Sequence, residues 1–493
     1  FRRHSNPINT LSFAAIILLL IRPTQLLEAG WQLSFASVLG LLLFCERLHF
    51  FLHERITGLR RPKKGATVMV SYRMTPRPGP YSLRLFSAGL TAWMGGAGIL
   101  LYHFYTINPL ASIWTVLVFP LVSMILVLGF LKMILFFLLP TLSGLLGIAA
   151  ASLSSALIWI VKLIAQLGIS QILIGRVSLV LIIFYYCAIV FAAYVYFRRP
   201  LMKKLICTAM FLSLIVYLGA VKWHRTYRHD LAVTCLDVGH GQAILVQLPH
   251  GANILFDAGS LHRSDIGARI VAPFLDYRGI SRIDAVVVSH NDVDHINGIP
   301  EIVEHCKVGG VYANHAFFSK TDKWGTVQFL KECLAEQGFE IERLEYNLHP
   351  GGSVKIETLW PDGDVDNSDN LTDNDRSLVS LIEFAGAKIL LCSDIEEYAQ
   401  RQLLQTRPNL KADVVVIPHH GSARTLDATF LENLNAKVLI CSCDRTQYKR
   451  TIANADPTTS RPNGAKTLYT AEDGAITVVV GKDGTIETAT FVK

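Results

Sequence analysis

The stretch Asp284-Ala-Val-Val-Val-Ser-His-Asn-Asp-Val-Asp-His295 decides the fold of the chain's second half. Ala285 to Ser289 is β-branched without alternation, which reads as a strand buried on both faces, so the loop after it sits at the carboxyl edge of a sheet. Ligand sites favour that edge. The loop itself, Ser289-His-Asn-Asp-Val-Asp-His295, brings two imidazoles and two carboxylates onto one tight turn. If the turn stays extended, His290, Asp292 and Asp294 alternate and His295 follows directly, so the donors can serve two neighbouring ions. Mixed nitrogen and oxygen donors suit zinc, manganese or iron. The competing reading is a polar turn that caps the next helix through Asn291 or Asp294.

Two further strand ends point the same way. Lys388-Ile-Leu-Leu-Cys-Ser-Asp394 ends in a lone carboxylate, a natural bridge between two cations, and Asp413-Val-Val-Val-Ile-Pro-His419-His420 ends in paired histidines, one of which would complete the shell. In a two-metal site the ions clamp both the attacking and the leaving oxygen of a displacement. Around these, strands are predicted at 233–236, 243–248, 253–256, 310–312, 378–384, 388–391, 413–417, 438–441 and 475–480. Helices are predicted at 266–277, 298–305 and 326–337, with a loop rich in Asp and Asn at 362–375. Two sheets flanked by helices predict an αββα sandwich.

The first half is of another kind. Of 493 residues 51% are hydrophobic and 17% charged, against about 25% charged in ordinary soluble proteins. The excess lies before Val221, in apolar stretches at 11–21, 31–44, 85–105, 110–139, 142–160, 177–196 and 205–221, giving six or seven membrane helices of which the first two are short. Nearly uncharged runs such as Pro109 to Phe137 argue against the alternative of a large soluble helical core. Basic belts at 55–64 and 197–204, with Lys222, Arg225 and Arg228 beyond, read as interfacial anchors or as the lining of a path for a polyanion, which the net charge of +7 allows. Nine scattered cysteines form no Cys-x-x-Cys, and Cys392 reads as a small buried hydrophobe.

Taken together, Leu236-Asp-Val-Gly-His-Gly-Gln-Ala-Ile-Leu-Val, Leu255-Phe-Asp-Ala-Gly259, His290 to His295, Asn374-Asp-Arg-Ser377, Cys392-Ser-Asp394 and Pro418-His-His-Gly-Ser422 resemble the metallo-β-lactamase-like domain of the ComEC family of DNA-uptake channel proteins. Gly30-Trp-Gln-Leu-Ser-Phe-Ala-Ser-Val-Leu-Gly-Leu, Leu101-Tyr-His-Phe-Tyr and Phe119-Pro-Leu-Val-Ser resemble that family's competence-type membrane domain. The resemblance implies a helical transmembrane domain followed by an α/β metallo-β-lactamase-like αββα sandwich: a partial membrane domain over 1–221, a basic linker over 222–230 and a hydrolase over 231–493. Beginning at Phe1 without an initiator Met or signal peptide, the chain is expected to be an amino-terminally truncated member.

What the resemblance implies about chemistry is a centre of two divalent ions (manganese, zinc or magnesium) held by His290, Asp292, Asp294, His295, Asp394 and one of His419 and His420, with Asp292, Asp294 and Asp394 catalytic. Asp292 stands where lactamases carry histidine, which makes the site richer in oxygen. Asn374 and Ser377 are candidates for contact with substrate or for bracing, Asp257 reads as a brace, and Gly239 and Gly241 as a tight turn. The chain departs from the family's pattern in having Gln242 where Asp is frequent, in lacking the Tyr-Gly-His-Pro segment after Tyr448, and in having no counterpart of the lactamase third histidine at His305, His315 or His349. The implied function is an inner-membrane DNA-uptake channel component whose periplasmic or extracellular domain degrades the strand that is not transported, working with DNA, membrane lipid and other uptake proteins. A hydrolase acting on an envelope phosphodiester or a β-lactam, and a non-catalytic subunit that guides DNA, are the alternatives.

Overall fold

The computed structural model describes residues 6–57, 80–314, 316–319, 325–344, 347–348, 353–361, 371–427, 429–454 and 464–492. The chain divides into two compact units, Phe1–Ala220 and Val221–Lys493. The Asp- and Asn-rich loop up to residue 370, most of the first basic belt, His315 and His349 lie outside the described residues.

The first unit contains the helices α1 (Pro7–Ile21), α2 (Ala29–Thr57), α3 (Tyr81–Phe104), α4 (Ala111–Leu135), α5 (Pro140–Ala165) and α6 (Leu179–Tyr194), and α7 (Pro200–Thr226) runs from it into the second. Among the described residues, α2, α3, α4, α5 and α7 are long and apolar enough to cross a membrane. This corrects the expected six or seven. α2 is longer than its apolar stretch because Glu46 to Thr57 continue the helix, and α6, at 16 residues, rises only about 24 Å against a hydrocarbon core of about 30 Å. Outward-facing Leu117, Met124, Phe130 and Ile148 are exposed, as lipid-facing side chains must be.

What holds α2 to α3 is the smallness of facing residues. A Cβ on Gly95 would stand 2.2 Å from the Ala36 carbonyl oxygen, and one on Gly40 2.4 Å from that of Thr91. Backbones this close are the membrane form of tight packing, where apolar side chains gain nothing over lipid. The Tyr185 and Tyr186 hydroxyls of α6 donate to the carbonyls of Met94 (2.9 Å) and Gly95 (2.8 Å), and His103 meets Gln32 at 2.9 Å.

The second unit is an αββα sandwich. The strands of its two large sheets are β1 (Leu231–Cys235), β2 (Ile244–Gln247), β3 (Asn253–Phe256), β4 (Ala285–Val288), β5 (Val311–Ala313), β6 (Ile341–Arg343), β7 (Asn347–Leu348), β8 (Lys355–Trp360), β9 (Val379–Phe384), β10 (Ala387–Leu391), β11 (Val414–Val416), β12 (Val438–Cys441), β13 (Lys466–Tyr469), β14 (Ile476–Val480) and β15 (Ile486–Thr490). One sheet runs β6-β5-β4-β3-β2-β1-β14-β15, the other β7-β8-β9-β10-β11-β12-β13. β3 to β6 pair in parallel, as do β10 to β13; the remaining neighbours are antiparallel.

Alternation along the strands builds three apolar layers. Val233, Ile244, Phe256 and Val287 meet Ile382, Ile389, Val414 and Ile440 between the sheets. Leu245, Val286 and Val288 face outward onto Leu275 and Ile299, while Leu390, Val415 and Leu439 face the other way onto Leu403 and Phe430. The valine run of β4 is continuous because both of its faces are covered. Ile341–Arg343, Asn347–Leu348, Lys355–Trp360, Lys466–Tyr469 and Ile486–Thr490 are strands that the sequence reading did not predict. All nine cysteines are free, and Cys392 is fully buried.

Candidate metal centre

β4, β10 and β11 end at one edge of the sandwich. After β4 the chain does not stay extended: Val293–Ile296 is a single helical turn with Asp292 at its amino cap and no side-chain capping bond. This overturns both the alternating geometry and the cap through Asn291 or Asp294. The turn carries Asp294 and His295 inward and leaves the Asp292 side chain 45% exposed, its Oδ2 3.5 Å from His290 Nε2.

Asp294, His295, Asp394 and His420 converge, with one donor atom from each lying within 4.8 Å of all the others. His295 Nε2 is 3.3 Å from Asp394 Oδ1, and His420 Nε2 is 3.5 Å from Asp294 Oδ2 and 3.4 Å from Asp394 Oδ2. These separations exceed ordinary hydrogen bonds. A tetrahedral shell with bonds of about 2.1 Å sets neighbouring donors about 3.4 Å apart, so the spacing is that of ligands around one ion. His290 Nε2, His295 Nε2, His420 Nε2 and Asp394 Oδ1 are all buried without a hydrogen-bond partner. Buried polar atoms are rarely left so.

The other ring nitrogens explain why the three imidazoles face inward. His420 Nδ1 donates to the Ser442 carbonyl at 3.1 Å, and His295 Nδ1 donates to Asp257 Oδ2 at 2.8 Å. The Ser289 hydroxyl spends its proton on Asp257 Oδ2 (2.8 Å), so His290 Nδ1 must donate to Ser289 Oγ (2.9 Å). Each ring therefore turns the lone pair of Nε2 toward the centre, the arrangement that metal-binding histidines use.

Asp257, fully buried with φ +55°, braces the site: besides His295 and the Ser289 hydroxyl it accepts from Ser289 N at 2.7 Å and Gln242 Nε2 at 3.0 Å. Gln242 donates where the family's frequent Asp would set a second carboxylate against the first. Ser377 Oγ accepts from Asp394 N at 3.1 Å, and Asn374 Nδ2 donates to Glu396 Oε1 at 3.1 Å. His419 does not join the cluster. His419 and His420 both have positive φ, and the turn sends His420 inward and His419 toward Glu396 Oε1, 3.5 Å away.

The charges are mutually dependent. Burial raises Asp294, but the imidazoles of His420 and His295 beside it outweigh it and bring it to about 2. Burial likewise opposes, without reversing, the lowering of Asp394 well below its usual range by His420 and His295. Burial lowers His295 and His420, yet Asp394, with Asp257 on one and Asp294 on the other, raises both above the usual range. The pocket thus calls for positive charge at the Nε2 positions, which a proton or a metal cation can supply.

Glu396, Gln242, Ser289 and Ser393 carried no donor signal that set them apart in sequence. Ser393 Oγ donates to Ser289 Oγ at 2.7 Å, linking the two sheets beneath the centre. Gly241 (φ +148°) and Gly259 show why glycine is needed there: a Cβ would lie 2.3 Å from Gly259 O on the first and 2.2 Å from Asp294 C on the second. His305 lies on the surface, 3.1 Å from Asp276.

Residues 1–199 match the competence protein family and residues 236–443 the metallo-beta-lactamase superfamily. ComE operon protein 3 of Bacillus subtilis (strain 168) is 26% identical over 453 residues, covering 87% of this chain and 52% of that protein. Competence protein ComA of Neisseria gonorrhoeae is 26% identical over 299 residues, 58% of this chain and 39% of that protein. The chain spans about half the length, or less, of these two relatives. Among solved structures, a diphosphatase of the PhnP family is similar at 17% identity, covering 46% of this chain and 81% of that one with a TM-score of 0.29. The two family matches fall on successive, non-overlapping parts of the chain, the competence protein match on the helical half and the metallo-beta-lactamase match on the sandwich.

Proposed function

We propose that this chain, with its competence-type membrane domain joined to a metallo-β-lactamase-superfamily domain, is a DNA-uptake channel component of the inner membrane. Its hydrolase domain stands outside that membrane and cleaves the phosphodiester bonds of the strand that is not transported. The observation that carries the reading is the pair of buried histidines, His295 and His420, whose unpartnered Nε2 atoms stand at ligand spacing from Asp294 and Asp394, in one chain with a competence domain.

Asp294, His295, Asp394 and His420 would hold one divalent ion, manganese, zinc or magnesium, and His290 with Asp292 would contribute to a second next to it. When bound, such ions polarise a phosphoryl oxygen and make water a nucleophile near neutral pH. Three ligand carboxylates against two divalent ions leave the shell net positive, which suits an anionic phosphodiester; a single ion would leave it negative. Asp257 holds His295 in the right tautomer, and Ser377 fixes the backbone that carries Asp394. The reading brings DNA, lipid and other uptake proteins as partners.

The test uses the full chain in detergent, loaded in turn with manganese, zinc and magnesium, and given single-stranded DNA, double-stranded DNA and a chromogenic β-lactam. Asp294→Ala and Asp394→Ala should each abolish DNA cleavage. Cleavage unchanged in both variants would sink the assignment, and lactam turnover without DNA cleavage would move the function to another hydrolase.

A further inference from the structure

We infer that His240 is a further metal ligand, a fourth imidazole brought to the centre from the glycine turn after β1. The inference rests on the metal-centre reading above and adds to it a residue outside the histidine and aspartate motifs.

The first observation is position. His240 Nε2 lies 3.8 Å from Asp294 Oδ2, the same oxygen that stands 3.5 Å from His420 Nε2. The His240 and His420 rings are neighbours, 4.8 Å between centroids. Two donors on one ion at bonds of about 2.1 Å are separated by about 3.4 Å at the tetrahedral angle and by about 3.8 Å when that angle opens. His240 Nε2 therefore stands at the separation of a donor that shares an ion with Asp294.

The second observation is the tautomer. Gln447 Nε2 donates to the His420 carbonyl at 2.7 Å, and a carbonyl only accepts, so the other atom of this amide, facing His240, is its oxygen. His240 Nδ1 lies 3.2 Å from that oxygen and must carry the proton. Nε2 is left with its lone pair on the Asp294 side. This is the logic that turns His290, His295 and His420 inward, with a side-chain amide in place of the serine, the carboxylate or the carbonyl.

The third observation is the support. His240 is half-buried, and its carbonyl accepts from Leu261 N at 2.7 Å. Gly241 next to it is pinned by Ser442 Oγ at 2.7 Å and packs directly on Gly259. Gln447 is held in turn by Asp444, whose Oδ1 accepts from Gln447 N at 2.6 Å. The ring is thus placed by the same elements that place His420.

The experiment uses the full chain in detergent with manganese(II) alone as probe, reading affinity by calorimetry and coordinated imidazole nitrogens by pulsed electron paramagnetic resonance. His240→Ala should lose one nitrogen coupling and at least about tenfold in affinity. Gln447→Ala, which keeps the imidazole but frees its ring, should lose less affinity. Circular dichroism checks folding, and His240→Gln decides the matter if the alanine variant does not fold. An unchanged nitrogen count and affinity in a folded His240 variant, with binding abolished in Asp394→Ala, would overturn the role of His240 and leave the centre standing. No binding by the native chain would overturn both.

Discussion

Asp257 Oδ2 accepts the Nδ1 proton of His295 at 2.8 Å, while the opposite nitrogen of the same ring stands 3.3 Å from Asp394 Oδ1. A carboxylate that touches no ion thereby sets the direction of one that would. Asp257→Asn keeps the shape but turns an acceptor into a partial donor toward both His295 and Gln242. It should lower manganese affinity about 10- to 100-fold. Calorimetry on the full chain checks this, and an unchanged affinity would show that His295 is oriented by packing alone.

The titration of the centre gives a second expectation. His295 and His420 have raised pKa values in the folded chain, so their contribution to stability is complete below the unfolded value of about 6.5 and is lost as pH rises through the folded values. Asp294 and Asp394 are lowered, so theirs is present above about 3.9 and is lost as pH falls, toward about 2 for Asp294. The metal-free hydrolase domain should therefore melt at its highest temperature between about pH 4 and about pH 6.5. Metal must displace the Nε2 protons, so metal affinity should rise with pH above about 6.5. Melting curves of the full chain with and without chelator across that range provide the measurement, and a metal-free melting temperature that climbs above pH 6.5 would contradict the expectation.

Gly259 offers a steric test. Its missing Cβ would lie 2.2 Å from Asp294 C and 2.3 Å from His295 N, so Gly259→Ala must push the ligand-bearing turn away from the sheet. A shift of about 1 Å at a site of this kind costs about 100-fold in rate. DNA cleavage should fall by that order or more while far-ultraviolet circular dichroism stays native. Full activity in the variant would mean that the turn is free to move.

In the membrane unit, Gly95→Leu should part α2 from α3, because even one carbon there meets the Ala36 carbonyl at 2.2 Å. Overpacking of this kind costs on the order of 1–3 kcal/mol, visible as an earlier thermal aggregation midpoint in detergent. Gly129→Leu on α4 is the control, since nothing lies within 4 Å of a Cβ at Gly129. Equal midpoints for the two variants would remove the α2–α3 contact as a source of stability.

The strands behind the candidate site were legible because burial on both faces leaves an unmistakable run of valines, and the donors at their ends followed. The fold class was legible for the same reason. The local shape of the turn was not. Val293–Ile296 is too short for any periodicity, so nothing in the sequence said that it would wind and separate Asp292 from Asp294. The choice between His419 and His420 rests on two positive φ angles, which adjacent identical residues cannot disclose. His240 stayed hidden because its meaning depends on Gln447, roughly two hundred residues away. In the membrane half, hydropathy located the spans but not their ends, since the charged tail of α2 stays helical.

The bond from Ser393 to Ser289 ties the two sheets directly under the centre, and the ligands above it come from points about a hundred residues apart in the chain. The set Asp294, His295, Asp394 and His420 is complete only when the two halves of the sandwich meet. An ion held by these four would act as a cross-link between segments about a hundred residues apart. Metal content is then a readout of completed folding, and a chain caught half-assembled at the membrane would carry no hydrolytic activity to turn on its surroundings.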